Sequence, residues 1–238
     1  RLGMTRRLSA RSDLPAGLAP SYRPEDHALG IVHLGLGAFH KAHQAAYTDA
    51  ALAATGGDWR ILGVSLRSAE PAAQLGPQDG RYTLIERGAA GSKARVIGAI
   101  AGAVCAAGDP GPVLAAMVDP ACRIVSLTVT EKAYGLDRAS NGCNPAHPAV
   151  KADLANPDRP QGVLGLLARA LALRLDAGTA PFTVLCCDNL PDNGHLLRGA
   201  VIDFARRIDA RLADHIAASV AFPSTMVDRI TPAPTDAT

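Results

Sequence analysis

The hexapeptide Gly35-Leu36-Gly37-Ala38-Phe39-His40 carries the clearest chemistry in this sequence. It follows the apolar run Ile31-Val32-His33-Leu34 and opens a helical pattern. A glycine after a buried strand makes a tight turn, and a second lets the backbone approach an anion closely. The free N–H groups of the helix start, here Ala38, Phe39 and His40, then face that anion. Strand, glycine turn and helix in this order predict a site for the pyrophosphate of a dinucleotide. The third fingerprint position holds His40 where glycine or alanine is usual. The competing reading is a glycine turn that only packs strand against helix.

In such a site an acidic residue ends the second strand and binds the ribose hydroxyl. Arg67 and Ser68 occupy that place, and Glu70 lies beyond. Arg67 either faces a 2′-phosphate or points into solvent, which leaves both NAD and NADP open. His40 and His43 have the i, i+3 spacing of metal ligands, but no carboxylate or further histidine clusters with them. Hydrogen bonding near the turn is the better reading, and no metal is expected.

Two more segments close apolar runs with polar residues. Thr128-Val129-Thr130-Glu131-Lys132-Ala133-Tyr134 is the first, and Cys187-Asp188-Asn189-Leu190-Pro191-Asp192-Asn193-Gly194 the second. Ligands of open α/β sheets bind at the C-terminal ends of strands, so Thr130, Glu131 and Lys132 could face a cofactor. Asn189 offers a neutral donor to a carbonyl oxygen that gains negative charge. The structural alternatives are a salt-bridged strand end around Lys132 and a helix cap at Asp192 or Asn193. Hydride transfer from an alcohol needs a base, and none is obvious. The sequence has neither a Tyr-x-x-x-Lys pair nor a zinc ligand set.

These residues need a sheet to hold them. Strands are expected at 31–34, 60–66, 123–129 and 182–187, and helices at 38–54, 109–118, 163–177, 194–209 and 211–220. Leucines at 164, 167, 171 and 175 make 163–177 the clearest helix. Residues 81–86 and 94–100 alternate around a Gly-rich turn and predict an antiparallel hairpin inserted in the sheet. The segment 135–160 contains four prolines and reads as a loop with one turn of helix, and 226–230 closes the regular structure. Strands alternating with helices predict an α/β fold, a doubly wound, mostly parallel sheet. Residues 1–29 are polar and read as an arm lying over a domain at 30–238.

Composition agrees with an ordinary globular chain: 48% hydrophobic and 19% charged residues, which excludes a disordered one. Aromatics are only 4%, so Ala, Leu, Val and Ile must build the core. A net charge of +2 argues against nucleic acid or an anionic membrane as partner. The five cysteines lack any C-x-x-C spacing, which predicts free thiols and a cytoplasmic location.

Five segments in order resemble the mannitol dehydrogenase family of polyol-specific long-chain dehydrogenases. They are residues 31–44, Gln78-Asp79-Gly80-Arg81-Tyr82-Thr83-Leu84, the Ser126 to Tyr134 strand end, the Cys187 to Gly194 segment, and Thr225-Met226-Val227-Asp228-Arg229-Ile230-Thr231-Pro232. The resemblance runs from about residue 30 to 234. It implies a Rossmann-type domain that binds a nicotinamide cofactor, usually NAD, and interconversion of a sugar alcohol or aldonate with its keto form. The wording is nearest the mannitol 2-dehydrogenase and fructuronate reductase branch. Asn189 would match the family's oxyanion-site asparagine, and Asp228 its acidic residue beside the substrate pocket. The family's base is a lysine of a Lys-x4-Asn-x2-His motif on a second, helical domain, which these residues do not include. The chain departs mildly at Lys41, where arginine is common, and at Ala133, where glycine is common. A catalytically inactive nucleotide-binding module is the alternative function.

Overall fold

The computed structural model describes residues 7–15, 17–89, 91–227 and 230–231. Five parallel strands form the central sheet: β1 (Leu29–Leu34), β2 (Arg60–Ser65), β5 (Ile100–Cys105), β6 (Ile124–Leu127) and β9 (Thr183–Cys186). Their spatial order is β5-β2-β1-β6-β9, the doubly wound arrangement in which the chain reverses direction between β1 and β6. All pairings are parallel, so both faces must be covered, and alternation along the strands does this. Val32, Leu34, Val125, Leu127, Val184 and Cys186 enter one core; Ile31, Ile61 and Ile100 enter the other.

The first core is closed by α4 (Gly111–Val118), α6 (Pro148–Ala155), α7 (Val163–Asp176), α8 (Asn193–Arg206) and α9 (Ala210–Ser219). In α7, Leu164, Leu167 and Leu171 are all buried, as their spacing requires. Gly178 ends that helix with φ +66°, its N–H bonded to Leu175 O and the next N–H to Arg174 O. The opposite face is covered by α2 (Gln44–Thr55) and α3 (Glu70–Leu75). The helix expected at 38–54 is two: α1 (Ala38–Ala42) stops at His43, whose φ of −115° and ψ of −97° break the path before α2.

The expected hairpin exists as β3 (Tyr82–Gly88) and β4 (Gly91–Ile97), but it forms its own two-stranded sheet rather than joining the central one. Gly98 and Ala99 end it, and Ile100 starts β5, a parallel edge strand that the periodicity of 94–100 had absorbed. The stretch 135–160 is more regular than a loop. After α5 (Glu131–Tyr134) it holds the small ladder β7 (Leu136–Asp137) and β8 (Gly142–Cys143), then α6, which Pro148 begins at a position where a missing N–H costs nothing. Residues 220–227 and 230–231 carry no helix or strand, so among the described residues α9 is the last regular element; residues 228–229 of the expected closing segment 226–230 lie outside the described residues. Near the start, Leu18 O accepts from Val96 N at 2.8 Å, and Tyr22 Oη donates to buried Asp49 at 2.7 Å, tying this segment to β4 and α2.

Candidate functional site

The C-terminal tips of β1, β6 and β9 lie side by side, and the predicted residues at 35–40, 130–132 and 189 follow these three strands. Gly35 turns the chain out of β1 with φ +104°, a region that L side chains avoid. A Cβ on it would stand 2.1 Å from Thr128 O, so only glycine lets the tips of β1 and β6 approach this closely. Gly37 differs. It is exposed, and a Cβ there would meet only Gly35 O, at 3.8 Å. The space beside Gly37 is open, and the N–H groups of Ala38 and Phe39 in the first turn of α1 have no acceptor within the helix. Bare backbone whose donors have no partner among the described residues fits an anion such as a diphosphate.

Beneath the turn lies a buried polar chain. Ser126 Oγ donates to Gln44 Oε1 and contacts His33 Nδ1, both at 2.8 Å. His33 Nε2 contacts Thr128 Oγ1 at 2.8 Å, and Thr128 Oγ1 reaches Gly35 O at 2.9 Å. The neutral ring and the two hydroxyls supply three hydrogens to these four contacts; turning the Gln44 amide so that its NH2 faces Ser126 would supply the fourth. Burial pushes the His33 imidazole down to about 3, so it is neutral near pH 7. His40 stacks on it with ring centroids 3.4 Å apart. Burial also holds His40 well below the usual histidine range, and a charge on His33 would lower it further. Neither His40 ring nitrogen has a hydrogen-bond partner among the described residues. His43 leaves this pair and stacks on Phe39, so the two histidines read as possible ligands do not converge. Among the described residues no group of three or more His, Cys, Asp or Glu side chains is placed to hold a metal.

A second feature, not foreseen from sequence, ties β6 to β9. Asp188 accepts from Val129 N at 2.9 Å, from Thr130 N at 3.3 Å and from Tyr134 Oη at 2.5 Å. It thereby holds Thr130 at φ +71° and ψ 146°, a conformation that costs a β-branched residue dearly. Burial, then the neighbouring Cys186 and Asp188, push the Tyr134 phenol upward, so it stays a donor. Glu131 and Lys132 follow in the one-turn α5, where Lys132 is exposed and its carbonyl meets His147 Nε2 at 3.0 Å. No salt bridge of Lys132 forms among the described residues.

Asn193 pins the following segment. Its buried amide nitrogen, with two hydrogens to give, lies within hydrogen-bond reach of Cys186 O, Asp188 O and Thr225 O, and its oxygen accepts from Thr225 N at 3.0 Å. This brings Thr225 to Val227 across the strand tips. They separate a cavity of about 680 Å3, lined by Phe39, His40, Gln44, Thr128 and Cys187 among others, from one of about 340 Å3 lined by Asp188 and Asn189. Asn189 is exposed in the smaller one. Asp228 lies outside the described residues. Arg67 is exposed beyond the tip of β2, apart from the other groups.

A doubly wound sheet with an open glycine turn at its reversal point defines a Rossmann-type domain. The chain belongs to the mannitol dehydrogenase family: the family model described as the mannitol dehydrogenase Rossmann domain matches residues 29–237. It is 48% identical over 217 residues to mannitol 2-dehydrogenase of Cereibacter sphaeroides, covering 90% of this chain and 45% of that protein. The crystal structure of D-sorbitol dehydrogenase in substrate-free form superposes with a TM-score of 0.91 at 40% identity, over 97% of this chain and 49% of that one. Pseudomonas fluorescens mannitol 2-dehydrogenase, solved as a ternary complex with NAD and D-mannitol, gives 0.87 at 42% identity, over 92% and 46%. The chain spans about half the length of the curated relatives it matches. Among the described residues no helix is long and apolar enough to cross a membrane.

Proposed function

We propose that this chain is the cofactor-binding domain of an oxidoreductase that interconverts a polyol or aldonate with its keto sugar, of the mannitol/fructose or mannonate/fructuronate type. The observation that carries the reading is the open backbone at Gly37, placed at the sheet's reversal point with unpaired N–H groups beside it. The Pseudomonas relative was solved with NAD, and a nicotinamide dinucleotide fits this turn. When bound, it supplies the hydride carrier.

The chain's own residues take the following parts. Gly35 makes the tight turn against the β6 tip, Gly37, Ala38 and Phe39 offer backbone to the diphosphate, and His40, packed on His33, braces the turn from below. Thr130, Glu131 and Lys132 border the cofactor at the β6 tip, with Asp188 fixing their path. Asn189 donates its amide to the substrate oxygen as negative charge grows there, and Asp228 stands beside the substrate. The proton of the substrate hydroxyl goes to a lysine on a C-terminal helical domain outside these residues, so this chain alone does not turn over. The free thiols suit a cytoplasmic enzyme.

The test compares this chain with the longer protein in the reduction of fructose and fructuronate by NADH. Turnover by the longer protein alone is expected. Turnover by the 238-residue chain would put the base within it and contradict the reading.

A further inference from the structure

A dinucleotide with its diphosphate at Gly37 crosses the reversal point of the sheet, one half over β2 and the other over the tips of β6 and β9. Asn189 serves the reacting oxygen in the reading above, so the nicotinamide ring reaches the smaller cavity, which Asn189 lines. That cavity, of about 340 Å3, holds two carboxylates, Asp188 and Asp192, and among the described residues no lysine, arginine or histidine lines it. Neither carboxylate enters an ion pair among the described residues. Half-buried Asp188 is held by neutral donors: Val129 N at 2.9 Å and Tyr134 Oη at 2.5 Å on one oxygen, Thr130 N at 3.3 Å on the other. These bonds fix the group without cancelling its charge. Asp192 is exposed and accepts from Ser224 Oγ at 3.1 Å. Lys132, on α5, is exposed and lines neither cavity.

We propose that the carboxylates of this cavity, Asp188 foremost, set the balance between the two redox states of the coenzyme by favouring the oxidised one. The inference rests on the dinucleotide site proposed above. NAD+ and NADH differ only in the nicotinamide ring, which is positively charged when oxidised and neutral when reduced. A negative charge in a partly desolvated cavity attracts the first and is nearly indifferent to the second. Three donors hold Asp188 in place before the ring arrives, so the attraction needs no rearrangement. The reduced coenzyme, its ring charge gone, loses that attraction.

The experiment is a calorimetric titration with NAD+ and with NADH of the native chain and of three variants. Asp188→Asn keeps an oxygen for Val129 N and Tyr134 Oη and gives up the longest bond, to Thr130 N, together with the charge. It should raise the NAD+-to-NADH ratio of dissociation constants roughly tenfold, the effect of one fixed charge in a half-wet cavity. Asp192→Asn, an exposed change on the same cavity, should move the ratio the same way by roughly twofold, because water and salt screen it. Tyr134→Phe removes a hydrogen bond from Asp188 and no charge, so it should leave the ratio at its native value even where both coenzymes bind more weakly. A purely structural part for Asp188 weakens both coenzymes alike, and a ratio unmoved by Asp188→Asn overturns the proposal. A ratio that Tyr134→Phe moves as far overturns it too. Circular dichroism confirms the folding of each variant; if Asp188→Asn does not fold, Asp192→Asn decides, and a ratio it leaves unmoved is equally contrary. If neither coenzyme binds the folded native chain, the dinucleotide site itself is wrong, a result distinct from two coenzymes that bind with an unmoved ratio.

Discussion

Asp188, just past the end of β9, accepts a hydrogen bond from the backbone of Val129, just past the end of β6. One carboxylate thus fixes the spacing of two strand tips at the point where the site opens. Asp188→Ala strands two backbone N–H groups and the Tyr134 hydroxyl. A loss of about 2–4 kcal/mol in urea unfolding is expected, whereas Tyr134→Phe, which removes one donor, should cost about 1 kcal/mol. Equal effects of the two substitutions would show that the carboxylate is not the hub.

Thr130 keeps its φ of +71° only because those bonds hold it. Thr130→Gly should therefore leave the urea midpoint unchanged or raise stability by about 1 kcal/mol. A fall of that size instead would mean the conformation is not strained.

Gly35→Ala should be among the most damaging single-methyl changes in the chain. The added carbon meets Thr128 O at 2.1 Å and must occupy φ +104°. A destabilisation of about 2–4 kcal/mol is expected from strain and from disruption of the Thr128 bond. A thermal midpoint like that of the native chain would show that the turn can relax.

The buried imidazoles give stability a pH dependence of definite sign. The His33 imidazole lies near 3 in the folded chain and near the ordinary 6.5 when unfolded, and His40 is shifted the same way. Below about pH 6.5 the unfolded state binds the extra protons, so this contribution is full above that pH and is lost as pH falls toward 3. Replacing His33 by Asn is expected to destabilise the chain at pH 7.5, with the gap narrowing on acidification to pH 4. Urea midpoints at several pH values check this; a gap independent of pH would mean His33 is not held neutral.

Much of the fold was legible because its strands and helices carry strong patterns. The leucine stripe of α7 keeps helical spacing, and the apolar runs of β1, β2, β6 and β9 are short enough to favour strands. β5 escaped because Ile100-Ala101-Gly102-Ala103-Val104-Cys105 is made of small, half-buried residues on a sheet edge, with little contrast between its faces. The prolines around α6 read as breakers, although Pro148 starts the helix. At the site, the glycine turn was visible as a local motif. The Asp188 clamp and the His33 chain were not, since each joins residues from separate strands and only the folded sheet brings them together. Arg174 shows the same limit. Its charge suggests a surface residue, although it stands three residues after Leu171 and seven after Leu167, beside the leucine stripe; it is buried and donates to the carbonyls of Met117, Asp119, Cys122 and Ala180.

The central claim is that bare backbone at Gly37 receives a diphosphate, and a calorimetric titration with NADH of the native chain and of Gly37→Val tests it most directly. The valine has open space in this fold, with one atom at 3.8 Å from its Cβ, so the variant should unfold at nearly the native temperature. It should nonetheless show no heat of NADH binding, while the native chain binds. Equal binding by both would contradict the account, because a side chain would then stand where the diphosphate must lie.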